Sequence, residues 1–171
     1  MATTFKPFGL KPAYHPSGLD RATPFVGTNT FIAGTTYTAP YSLSAGQAFY
    51  QYQPVALTAS NQLTIAAADT TPVFGVFDGV EFTDSQGRRS VAKWAAKTTL
   101  DAATDIVFWI FSDPELVYEA QVNGSAGTGS IGQQYNFSTA TGYTTADGIS
   151  IGNGGAGFST TALAAAAVAN G

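Results

Sequence analysis

The chain has 171 residues, a net charge of −4, and only 11% charged residues against 44% apolar ones. That balance lacks the basic face that phosphate attraction needs, which argues against nucleic-acid binding. With no cysteine in the chain, disulfides, thiolate metal sites and cysteine nucleophiles are excluded.

No stretch reaches the roughly 18 apolar residues of a membrane span, so no membrane partner is expected. The opening MATTFKPFG has no apolar signal core, and the expectation is synthesis in a host cytoplasm. A surface so poor in charge is either neutral and rich in Ser, Thr and Gly, or covered in part by partners.

Residues 1–30 read as an extended arm. Pro7, Pro12, Pro16 and Pro24, with Gly9 and Gly18 between them, interrupt any regular element. Yet Phe5, Phe8, Leu10, Tyr14, Leu19 and Phe25 are interspersed, and a disordered tail has no need of them. Such an arm lies either on its own core or on a partner.

Residues 31–160 read as one β-rich core. The segment 31–57 alternates loosely and predicts two or three strands, with breaks at Gly34, Pro40 and Gly46. NQLTIA, from Asn61, predicts a short strand. The densest aromatic and β-branched runs, and both tryptophans, follow between Thr71 and Val122. Here 73–77 and 79–83 predict one long strand bent at Gly79. Asp84-Ser85-Gln86-Gly87 is a turn, 88–94 the returning strand, and 104–111 (TDIVFWIF) a strand covered on both faces. Asp113-Pro114 makes another turn. Residues 115–122 then alternate, with Leu116, Tyr118, Ala120 and Val122 on one side and Glu115, Glu119 and Gln121 on the other.

Beyond Val122 the composition turns to Gly, Ser, Thr and Ala. Strands are expected at Gln133–Phe137 and Gly148–Ile151, and helix propensity in the Ala-rich tail, 161–171. The fold class expected is therefore all-β, a single barrel or sandwich-like domain with an amino-terminal arm and a Gly/Ala-rich end.

Motifs that could carry chemistry do not find their context. GTGSIG (127–132) and GNGGAG (152–157) match a dinucleotide fingerprint but lack the βαβ unit it requires, so no cofactor is expected. Ser90 and Lys93 match S-x-x-K, yet on a strand they face opposite ways. Glu115 and Glu119, on one face of a strand, would stand roughly 13 Å apart, too far for glycoside hydrolysis. Asp78, Glu81 and Asp84 read as a solvated strand edge. His15, the single histidine, makes by itself neither a triad nor a metal cluster. The reading is a non-enzyme with no catalytic, cofactor or metal residues.

Two stretches resemble a known family. FGLKPAYHPSG (Phe8–Gly18) is similar to the opening of small tailed-phage structural proteins. VFGVFDGVEFTDSQGRRSVAKW (Val73–Trp94) is similar to their central block, together with Ser112-Asp113-Pro114-Glu115 and Tyr118-Glu119-Ala120-Gln121. The family is that of the capsid decoration, or cement, proteins of short-tailed phages and cyanophages, and the resemblance covers about half the chain. It implies a virion protein on the outer capsid surface, bound across capsomers of the major capsid protein as a homotrimer. The partner-binding residues expected are those of the arm: Phe5, Phe8, Leu10, Tyr14 and His15. The alternative is a glycan-binding β-sandwich module of a phage fibre or host-recognition protein. It is motivated by the abundance of Tyr and Trp, and requires Trp94 or Trp109 at the surface.

Overall fold

The computed structural model describes residues 9–18, 21–26, 39–66 and 72–120, and the backbone of strands at 135–139 and 161–167. In chain order the elements are β1 (Lys11–Tyr14), β2 (Thr23–Phe25), β3 (Ala48–Tyr50), β4 (Gln53–Leu57), β5 (Leu63–Ile65), β6 (Gly75–Thr83), β7 (Arg89–Ala92), β8 (Trp94–Ala96), α1 (Lys97–Asp101), β9 (Thr104–Phe111), β10 (Val117–Glu119), β11 (Tyr135–Thr139) and β12 (Thr161–Ala167). The chain is all-β and sandwich-like.

The main sheet runs β2-β9-β6-β4-β5, with β7 also on β6. Its outer strands do not meet, so it is not a closed barrel. β6 is its axis. β9 lines one side of β6, while β4 and then β7 share the other. The two segments expected on either side of Asp78 form one continuous strand, and its register with β9 shifts between Phe77 and Gly79, beside the position expected to bend. Gly87 closes the next turn at φ +78°, a conformation that glycine adopts without strain. Asp84 fixes that turn by accepting from the amides of Gln86 and Arg88, both at 2.9 Å.

Alternation along β6 and β9 sends side chains to two faces. Phe77, Val80, Phe82, Ile106, Phe108 and Ile110 face one way. They are covered there by Phe49 and Ala95 of the β3–β8 ribbon, by Tyr41 and Leu43, and by Leu100 of α1. The Phe49 ring stacks on Phe77 at 5.5 Å and meets Phe108 edge-on at 5.3 Å. Each such ring, fully buried, contributes about 1.5–3 kcal/mol. Val76 and Phe111 face the other way and meet Leu10 and Leu116, with Tyr52 and Tyr118 alongside. A second ribbon, β1 paired with β10, carries that cover.

Several expectations change. The strand expected over 88–94 divides at Lys93: β7 stays on β6, and Trp94 opens β8, which pairs with β3. The carboxylates of β6 do not mark an edge, since β6 has neighbours on both sides. They are held by bases instead: Asp78 by Lys93 at 2.9 Å, Glu81 by Arg89 at 2.7 Å, and Asp84, in the turn after β6, by Arg88 at 2.9 Å. Lys93 is thereby committed to Asp78, and S-x-x-K assembles nothing.

Of the strand expected over 115–122, the described residues form Val117–Glu119, Glu115 belongs to the turn before it, and 121–122 lie outside the described residues. Leu116, Tyr118 and Ala120 do share the inward side. A one-turn helix, α1, was not expected; Leu100 anchors it, and Lys97 bridges to Asp101 at 2.7 Å.

The Ala-rich segment is a strand, not a helix. β12 pairs antiparallel with β11, so cross-strand hydrogen bonding outweighs alanine's weak helix preference. β11 itself lies two residues beyond the start expected for it. The strand expected at 148–151 and both glycine loops lie outside the described residues.

Candidate functional site

The described part of the arm lies on its own chain. Lys11 pairs with Glu119, Pro12 with Tyr118 and Tyr14 with Val117. β2 then runs along β9, with Pro24 opposite Trp109. Proline is tolerated in both strands because each is an edge with one neighbour. Gly9, at φ +81°, turns the chain into this position, and the Leu10 amide donates to the Tyr52 carbonyl at 2.8 Å.

This placement separates the five arm residues. Leu10 is buried in the smaller core and His15 is only 6% exposed. Neither offers a surface to another molecule in this arrangement. Tyr14 points away, 61% exposed, beside its cross-strand neighbour Val117 at 52%. Phe5 and Phe8 lie outside the described residues.

His15 sits at the centre of a polar cluster that joins the arm to the turn before β10. Its Nδ1 accepts from the Ser17 amide at 3.1 Å and lies 2.8 Å from the Ser17 hydroxyl. Its Nε2 lies 3.0 Å from Asp113 Oδ2. The two atoms attract, but they are not aligned for a hydrogen bond, and Nε2 is a buried polar atom without one.

Asp113 is oriented from the other side. The Glu115 amide donates to its Oδ1 at 2.9 Å, and its carbonyl accepts from the Leu116 amide at 3.2 Å. The Glu115 amide, followed by the His15 imidazole, holds the Asp113 carboxyl below the usual aspartate value. The Glu115 carboxylate completes the group: one donor atom each from His15, Asp113 and Glu115 lies within 4.8 Å of the others.

The sequence offered His15, as the single histidine, for neither a triad nor a metal cluster and only as a partner-binding residue of the arm. Asp113 and Glu115 reach it only through the β1–β10 pairing. The one hint was the Asp-Pro-Glu turn itself, which fixes a carboxylate next to a strand end.

A second feature lies on the β3–β8 ribbon. Trp94 is 51% exposed and stacks on its cross-strand partner Tyr50, with centroids 6.3 Å apart and planes 10° apart. Trp109, by contrast, is partly buried, on β9 opposite Pro24 of the neighbouring strand β2.

No family model, curated protein or solved structure matches the chain.

Proposed function

We propose that the chain is a virion structural protein that decorates a capsid shell and stabilises it by binding across capsomers of the major capsid protein. The observation that carries this reading is the outward pair on the amino-terminal ribbon, Tyr14 and Val117, set on a rigid and charge-poor β-core. An aromatic and a β-branched side chain held side by side across a strand pair have few rotamers to lose on docking. Many such modest contacts, repeated by a shell of fixed geometry, add to a stable coat. The resemblance of Phe8–Gly18 and Val73–Trp94 to decoration proteins points the same way.

The test is co-sedimentation of the purified protein with shells of the virus that encodes it, stripped of decoration. Saturable binding at a fixed ratio to the major capsid protein is expected. Replacing Tyr14 and Val117 together by serine should weaken that binding while leaving the circular dichroism spectrum unchanged. Shells that bind the double variant as tightly as the parent would remove the ribbon from the interface, and shells that bind neither would end the proposal.

Trp94 favours a second reading, a glycan-binding module. An exposed indole braced by Tyr50 is the kind of platform on which a sugar ring stacks. Tryptophan fluorescence titrated with a saccharide panel decides it. A saturable change that Trp94→Ala abolishes would support it, and a flat response across the panel would discard it.

A further inference from the structure

We propose that His15, Asp113 and Glu115 form a site for a divalent transition-metal ion of zinc's class, which fastens the amino-terminal ribbon to the turn before β10. The inference does not depend on the chain binding a shell.

Three observations converge on it. The first is spacing. Ligand atoms about 2.0–2.2 Å from one tetrahedral zinc ion stand roughly 3.3–3.6 Å from each other. His15 Nε2 and Asp113 Oδ2 are 3.0 Å apart and need to open by only a few tenths of an ångström, about what side-chain torsions allow, and the Glu115 carboxylate is within 4.8 Å of both. The Glu115 side chain is exposed, so its rotamers are not locked by packing and it is free to move toward the other two.

The second is the state of Nε2. The imidazole is more than nine-tenths buried, and Nε2 has no aligned hydrogen-bond partner although a carboxylate oxygen lies beside it. A well-formed His–Asp hydrogen bond would place that oxygen on the N–H axis. A cation shared between the two atoms leaves each free to point at the ion rather than at the other.

The third is preorganisation. Asp113 has Oδ1 occupied by the Glu115 amide, which leaves Oδ2 as the atom presented to His15. Ser17 supplies the outer partner that a metal-bound histidine requires. Without metal, Nδ1 accepts from the Ser17 amide, so the proton of the neutral ring is on Nε2. On metal binding the lone pair at Nε2 goes to the ion. The proton then resides on Nδ1 and is donated to the Ser17 hydroxyl, already 2.8 Å away, and the Ser17 amide gives up its bond. One imidazole nitrogen with two carboxylate oxygens suits zinc better than calcium or magnesium, which prefer oxygen throughout.

The test uses the full chain after chelator treatment, titrated with zinc chloride by calorimetry and followed by thermal unfolding. One ion per chain is expected, with Tm rising by roughly 5 °C once zinc is in large excess over Kd. Asp113→Asn and Glu115→Gln, both at exposed positions, should each weaken zinc binding by more than about 100-fold, beyond the roughly 10–100-fold that loss of an outer partner alone causes.

A second readout does not rely on variants. The chain has a single histidine, so its two ring nitrogens are unambiguous in a long-range nitrogen–proton spectrum. Zinc should shift Nε2 and move the proton to Nδ1. No binding at millimolar zinc would overturn the proposal. So would unchanged binding in both variants, a ring spectrum that zinc leaves unmoved, or calcium binding in preference to zinc.

Discussion

Phe108 and Phe111 stand on the same strand and face opposite ways, and their surroundings differ in kind. Phe108 meets the rings of Tyr41, Phe49 and Phe77 within a continuous apolar core that reaches from β5 to α1. Phe111 shares a smaller cluster with Leu10, Val76 and Leu116, bordered by the polar group of His15, Ser17 and Asp113. The first face is held by interlocking rings. The second is held by a ribbon of two short strands and a turn. A fold built this way keeps its rigid part at β6 and β9 and leaves the β1–β10 ribbon as the part that a ligand or partner can stabilise.

The sharpest test of that difference is to create a cavity on the aromatic face. Phe108→Ala should cost about 3–5 kcal/mol, because three neighbouring rings cannot all collapse into the space. Urea unfolding measures it. A loss under about 1 kcal/mol would mean the rings are not the main anchor.

Gly75 joins the two faces. A Cβ there would lie 2.5 Å from the Phe111 carbonyl oxygen and 2.6 Å from Ile110 Cγ2. The first of these is backbone and cannot swing away. Gly75→Ala should therefore cost about 2–3 kcal/mol through overpacking. A neutral result in the same urea experiment would show that β6 and β9 can part at this end.

On the second face, Leu116→Ala should cost about 2 kcal/mol, the low end for a buried leucine, since the ribbon can settle into the gap. Amide exchange should show the same order. The amides of β1 should exchange faster than those of β6 and β9, and Leu116→Ala should accelerate the ribbon alone. If β6 exchanged as fast as β1, the two faces would be one cooperative unit and the comparison would fail.

The two faces were also unequally legible in the sequence. Strands β6 and β9 are long, alternate or run apolar throughout, and are each followed by turn residues, so local pattern sufficed to place them. Pattern could not show that Lys93 ends one pairing and that Trp94 begins another, because both stretches are equally strand-like. Alanine's helix preference misled at 161–167, where pairing with β11 decides the conformation.

The polar cluster was the least legible. His15 and Asp113 are brought together by a ribbon of three to four residues on each side, and neither strand is regular enough to announce its partner. The arm reading captured the prolines and the aromatic content but left open whose surface the arm covers. That depended on Leu10 reaching Val76 and Phe111 across the sheet.

The smallest expected effect separates the faces by pH. Tyr118 lies on the ribbon, with its hydroxyl donating to the Phe111 carbonyl at 3.3 Å. Burial, and then the Asp113 carboxylate, push its pKa from 10.0 to about 12. The folded value lies above the unfolded one, so the folded state favours the neutral phenol. The stabilisation is complete below pH 10 and is lost as pH rises toward 12. The parent protein should therefore lose stability across that window more steeply than Tyr118→Phe, which has nothing to ionise there. Because the side chain is only about half-buried, solvent screening keeps the difference small. The difference belongs to the ribbon: in the parent, amide exchange of β1 should quicken across the window, while the amides around Phe108 respond alike in both proteins. Parallel stability curves for the two proteins between pH 10 and 12 would mean that the ribbon does not hold Tyr118 against Phe111 in solution, and the second face would then be looser than its packing indicates.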